Sequence, residues 1–192
     1  MYRQVRESKS PRWYQRGFVE KERIMAISPK PTLEAKRRAM RDQLFPGCEA
    51  ELWNRKAVNG FTTIPRTLGL IMTLLEQMFD RKKGHDVSRT YFELWCRAFD
   101  DYLIEVTDVE AFAFSAGFVS KGRNVRSWEE RVKVLADLGF IKVAPNGSRK
   151  QGYILVVDPH RVVKKLKEDG KIPNDWWGAY TKRASEIGYT PP

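Results

Sequence analysis

Residues 125–157 read VRSWEERVKVLADLGFIKVAPNGSRKQGYILVV, and their punctuation decides the fold. Val125, Trp128, Val132 and Leu135 recur at helical spacing and mark one buried helix face. Gly139 stops that helix, because glycine is favoured just past a helix end. Phe140-Ile141-Lys142-Val143 then reads as a strand. Pro145-Asn146-Gly147-Ser148 supplies turn chemistry, and Tyr153 to Val157 is a second apolar run closed by Asp158-Pro159. The helix is therefore followed at once by a β-hairpin.

Toward the N-terminus, Thr107-Asp108-Val109-Glu110 has the capping-box form, a hydroxyl three residues before a glutamate. It predicts a short helix, DVEAFAFSAGF, stopped by Gly117 and followed by the basic turn SKGRN. Leu103-Ile104-Glu105-Val106 changes period and predicts a short strand. Ahead of it, a helix opens at Ser88 with an apolar stripe of Tyr91, Leu94, Trp95, Ala98 and Phe99. Pro65 opens an earlier helix, PRTLGLIMTLLEQMF, with Leu68, Ile71, Met72 and Leu75 buried and a cation-then-glycine ending at Arg81-Lys82-Lys83-Gly84.

Set in order, residues 88–158 run helix, strand, helix, turn, helix, strand, turn, strand. This order resembles the winged-helix (winged helix-turn-helix) superfamily over roughly 70 residues, with LADLGFIKV and the Gly- and Lys-containing hairpin as its most telling piece. The resemblance implies a mainly α fold with a small β-hairpin wing (α+β). It places a winged-helix domain at 61–158, including the preceding helix at 65–80. Residues 1–60 are then a basic, partly flexible arm with a helix at 32–45 capped by Thr32, and 159–192 a C-terminal helical extension. The runs IPRTLGLIMTLLEQM and TYFELWCRAFDDYLIEV also resemble uncharacterised proteins of bacterial mobile elements.

Charge points the same way. The chain carries 35 Lys and Arg against 24 Asp and Glu, a formal net of +11. The excess is clustered: residues 1–60 hold 14 basic and 7 acidic side chains, and residues 121–150 hold 8 and 3, whereas residues 61–120 are net acidic. A clustered excess favours a polyanion-binding surface over general solubility. In a winged helix the third helix enters the major groove and the wing straddles the backbone. With Val125, Trp128, Val132 and Leu135 inward, Arg126, Glu130 and Lys133 turn outward and Ser127 lies at the edge. Arg123 and Asn124 sit at the helix start, where free N–H groups suit a phosphate. The wing brings Lys142, Asn146, Arg149 and Lys150. Arg126 and Asn124 are the candidates for base contact and the lysines for phosphates. Glu129 and Glu130 argue against a plain phosphate-binding face. They leave room for a second reading, a winged-helix adaptor that docks protein through these acids and the Trp176-Trp177 region. A structured-RNA binder is a third.

The expected activity is sequence-specific binding of double-stranded DNA by a transcriptional regulator, or by a replication or partition factor of a plasmid or phage-like element. A homodimer is expected, since one winged helix reads only a short half-site. In the arm, Arg3, Arg6, Lys9, Arg12 and Arg16 interleave with Tyr2, Trp13 and Tyr14, a pattern suited to ordering on nucleic acid and equally to a flexible tail. Lys36-Arg37-Arg38 and Arg41 read as a solvated face. Trp176-Trp177, with Tyr180, reads first as a pair of which one ring anchors the terminal helix, which is also a candidate protein-docking element. A pocket between the 65–80 helix and the core is the place for any effector.

Enzyme chemistry finds no support. His85 and His160, the only histidines, lie in no metal or catalytic motif, Asp100 and Asp101 point to different sides, and no P-loop, GxSxG or dinucleotide fingerprint is present. No catalytic residue, metal or cofactor is expected. Cys48 and Cys96 have no metal spacing and read as reduced thiols of a cytoplasmic protein, with Cys96 in the core. The N-terminus has no apolar signal region, and the run from Leu68 to Phe79 is too short and polar to span a bilayer.

Overall fold

The computed structural model describes residues 32–54, 56–57, 60–79, 87–120 and 122–190. The chain divides into two compact units, Met1–Asn54 and Arg55–Pro192. The expectations for the arm at 1–31, the Arg81–Gly84 ending and His85 lie outside the described residues.

In the first unit, helix α1 (Leu33–Leu44) starts at Thr32, whose side chain accepts from the Ala35 amide. None of its residues is buried, as the weak apolar face of the sequence indicates. A short 3₁₀ turn, Cys48–Glu51, follows.

The second unit holds the remaining helices. They are α2 (Leu68–Met78), α3 (Ser88–Arg97), α4 (Val109–Ser115), α5 (Asn124–Asp137), α6 (Pro159–Glu168) and α7 (Asn174–Glu186). Three strands, β1 (Leu103–Glu105), β2 (Ile141–Asn146) and β3 (Arg149–Val156), form an antiparallel sheet in the order β1-β3-β2. The described fold is thus α+β, with seven helices and one small sheet.

The core explains the order. Tyr91 and Leu94 of α3, Phe112 of α4, and Trp128, Val132 and Leu135 of α5 are buried together with Ile104, Ile141 and Ile154 from the inner face of the sheet. Burying one such large side chain contributes about 1.5–3 kcal/mol. Phe112 meets Trp128 edge-on at 5.6 Å, which locks α4 against α5, and Tyr91 meets Phe140 at 5.2 Å. Helix α5 ends in a Schellman turn. The Phe140 amide donates to the Leu135 carbonyl across Gly139, whose φ of +86° suits glycine, and the chain enters β2 one residue later. Gly147 turns the hairpin with φ of +58°, leaving Asn146 opposite Arg149. Farther along β3, Gly152 lets the strands close, since a Cβ there would lie 2.2 Å from the Asn146 Cβ.

The C-terminal helices are part of this unit. Trp176 is buried and its indole N–H donates to the Leu70 carbonyl of α2 at 2.8 Å. Its ring stacks on Tyr180 at 5.1 Å, and the Tyr180 hydroxyl lies 2.6 Å from His160 Nδ1. Of the two tryptophans, Trp176 is therefore the ring that anchors the terminal helix.

Four local expectations are corrected. Helix α3 ends at Arg97, because Ala98 is extended with ψ of 134°, and Phe99 turns outward to 79 % exposure instead of joining the stripe. Cys96 is exposed, not core, since it lies on the helix face away from Tyr91 and Leu94. Asp108, not Thr107, caps α4, accepting from the Glu110 and Ala111 amides. Helix α2 begins at Leu68 rather than Pro65, with Leu74 buried and Met72 only partly so.

Candidate nucleic-acid interface

Helix α5 shows its outer face through the arginine and lysine positions the sequence singled out. Arg123, Arg126, Glu130 and Lys133 are exposed, and Asn124 and Ser127 are half-buried at the start of the helix. Arg123 stands at the N-cap position, and no side chain caps the first-turn amides. Those amides carry the positive end of the helix dipole. On the hairpin, Lys142 and Lys150 are exposed.

The hairpin and α5 are tied together. The Gln151 side-chain amide donates to the Glu129 backbone carbonyl at 3.2 Å. This bond holds the start of β3 to the N-terminal half of α5, and Lys150, the residue before Gln151 in the strand, is exposed.

Three of the predicted residues are engaged with the protein itself. The Arg149 guanidinium donates to the Val106 carbonyl and, at 3.2 Å, to that of Thr107. Arg149 therefore pins the hairpin to the segment after β1. The Asn146 amide donates to the Glu105 carboxylate at 3.0 Å and holds the same two segments. Arg126 pairs with Glu130 one turn along the helix, N to O 3.1 Å, with both side chains in solvent. Of the ten positions, Lys133, Lys142, Lys150 and Arg123 present cations that no ion pair or hydrogen bond among the described residues engages.

Arg131 was not anticipated. It is 8 % exposed, lies 3.5 Å from Glu130 and sits under the Phe118 ring at 5.8 Å. Its position three residues after Trp128 and four before Leu135 was the available signal, since it places the side chain on the buried face. Two apolar side chains ahead of α5 are also exposed: Phe114, 68 % exposed on α4, and Val119 in the turn that follows.

Among the described residues no cluster of three or more His, Cys, Asp or Glu could hold a metal, and no helix is long and apolar enough to cross a membrane. Comparison with protein-family profiles, curated proteins and solved structures returns no match for this chain.

Proposed function

We propose that residues 88–157 are a winged-helix module that binds double-stranded DNA, with α5 as the groove-reading helix and the β2–β3 hairpin as the wing. The observation that carries this reading is the continuity of α5 and the hairpin: α5 turns at Gly139 straight into β2, the Gln151 amide ties β3 back to the Glu129 carbonyl, and both elements carry exposed cations. The element order and the β1-β3-β2 sheet order support the fold assignment. The uncapped start of α5 adds amide donors where a phosphate would lie.

Within this reading the roles divide by chemistry. Lys142, Lys150 and Lys133 are point charges for phosphates. Arg126 and Asn124 are the base-reading candidates, Arg126 by exchanging Glu130 for a base edge or a phosphate. Arg149 and Asn146 hold the wing in position. A dimer acting as a cytoplasmic regulator or replication or partition factor remains the functional setting we infer. A mobility shift on random duplex DNA, titrated from low to physiological salt, tests the reading. Binding that weakens steeply with salt is expected, and no shift at low salt refutes it.

An adaptor role is the second reading, favoured by the exposed Phe114 and Val119 beside the α4–α5 turn. Trp176 cannot serve it, because that ring is buried. Stoichiometric capture of one protein with no DNA shift selects this alternative.

A further inference from the structure

A groove of 630 Å³ opens where α2, α3 and the end of α4 meet, and Met72, Arg89, Phe92, Glu93, Arg97 and Ser115 line it. Its charges are unequal. Arg97 is fully engaged: it pairs with the Glu93 carboxylate one turn back, donates to the Ser115 hydroxyl at 3.3 Å and lies 3.8 Å over the Phe112 ring. Glu93 is 7 % exposed, and its second oxygen is buried without a hydrogen bond from a described residue. Burial pushes this carboxyl above the ordinary range, while Arg97 pulls it back.

Arg89 is different. Its guanidinium lies across Gly117 just past α4, where an added Cβ would stand 2.7 Å from Cζ and Nη1. No ion pair or hydrogen bond joins it to a described residue. Both guanidinium groups therefore reach the 115–117 turn. Among the described residues, one is balanced by Glu93 and the other has no counter-charge. Between them the groove presents Phe92, which is 41 % exposed, and Met72.

We propose that this groove binds a small apolar monoanion, a ring-bearing carboxylate, with its carboxylate on Arg89 and its ring against Phe92 and Met72. A single unbalanced guanidinium selects one negative charge, and a guanidinium fork matches a carboxylate in two parallel hydrogen bonds. Phe92 and Met72 offer a ring apolar surface that a small inorganic anion cannot use. Glu93 acts as a counter-charge that limits how strongly the groove attracts an anion. Because Ser115 and Gly117 lead into α5, an occupied groove steadies the turn before that helix. Any effect on DNA rests on the DNA-binding reading, whereas ligand binding does not.

The test is isothermal titration of the full chain with benzoate, beside its neutral analogue benzyl alcohol and the cation benzylamine. Benzoate is expected to bind with Kd of roughly 1 mM, the range open to so small a ligand. Benzyl alcohol and benzylamine are each expected to bind at least about tenfold more weakly, the scale of one lost charge-assisted contact. Arg89→Met, at an exposed side chain, is expected to abolish benzoate binding with the thermal midpoint preserved. Glu93→Gln keeps the shape and removes the counter-charge, so it is expected to tighten benzoate binding, an effect that a purely structural Glu93 would not produce. Lack of benzoate binding, equal binding of all three probes, or benzoate binding that survives Arg89→Met overturns the proposal. None of these results touches the salt-titrated DNA assay, which decides the DNA reading separately.

Discussion

Replacing Lys142 and Lys150 together by alanine separates a phosphate-binding wing from a merely basic one. Both lysines are exposed on the hairpin, and neither has a hydrogen bond or ion pair within the described residues. If each neutralises one phosphate, each contributes about 0.9 to the slope of log affinity against log salt. The double variant should then lower the magnitude of that slope by about 1.8, and at 0.1 M salt it should bind roughly 60-fold more weakly. Arg149→Ala is the internal control. Its guanidinium holds the Val106 and Thr107 carbonyls, so its loss should cost about 1–3 kcal/mol of stability while leaving the salt slope nearly unchanged at temperatures where the variant is folded. The assay is fluorescence anisotropy of labelled duplex over a range of salt, with a urea denaturation of each variant alongside. An unchanged slope in the double lysine variant, or a fall in slope for Arg149→Ala without loss of stability, refutes the division of roles.

Three further outcomes follow from the packing. Gly152→Ala should cost about 1–3 kcal/mol, read as a lower urea midpoint, because its Cβ would sit 2.2 Å from the Asn146 Cβ and 2.4 Å from the Asn146 nitrogen. Trp176→Ala should cost about 3–5 kcal/mol, whereas Trp177→Ala, at a half-buried ring, should cost well under half of that in the same denaturation. His160 is held below its ordinary pKa of 6.5, chiefly by burial and against the pull of Asp158. Its neighbours are Tyr180, Tyr189 and Thr67. Above pH 6.5 both folded and unfolded states hold it neutral. As pH falls below 6.5 the unfolded chain takes up the proton first, so stability should drop through that window. His160→Gln should flatten this step in urea midpoints measured from pH 8 to pH 5, and a step of unchanged size in the variant would assign it elsewhere.

The parts of the fold legible in the sequence are those carried by local signals. The Val125–Leu135 face, the Gly139 stop and the turn at Gly147 each follow from backbone preference or period, and α5 and the hairpin lie where they indicate. Phe99 was not legible, because the 3.6-residue period runs on past Arg97 while the helix does not. What breaks it is tertiary. The Ala98 carbonyl is held by the Thr62 hydroxyl at 3.0 Å, thirty-six residues away, and Tyr102 adopts φ of +57° before β1 begins. The cap of α4 fell one residue off because Thr107 and Asp108 are both good caps, and the hydrogen bonds chose the aspartate. At the candidate site the sequence marked which residues were basic, but not which were spent. Arg149 and Lys150 are adjacent and equally cationic, yet one is consumed by two backbone carbonyls and the other is exposed. Pairing of this kind is tertiary: β3 pairs with β1 only as far as Tyr153 opposite Glu105, and the long Arg149 side chain reaches from the hairpin to the carbonyls that follow β1.

Of the two glutamates that stand against DNA binding on α5, one is already paired. Glu130 is shared between Arg126 at 3.1 Å and the buried Arg131 at 3.5 Å. Its charge therefore offsets cations already present rather than adding a bare repulsion. The Arg126–Glu130 pair is exposed on both sides, and a pair of that kind contributes only about 0.3–0.5 kcal/mol. One phosphate contact at 0.1 M salt is worth about 0.9 of a decade in affinity, roughly 1.2 kcal/mol. Exchanging the glutamate for a phosphate is thus favourable for Arg126, with Glu130 still neutralised by Arg131. Glu129 is exposed with no ion pair to a described residue, and its backbone carbonyl is the anchor for Gln151. The anchoring requires no particular side chain at residue 129. In the DNA-binding reading proposed above, that carboxylate is placed to accept from a base amino group or to oppose non-specific phosphates.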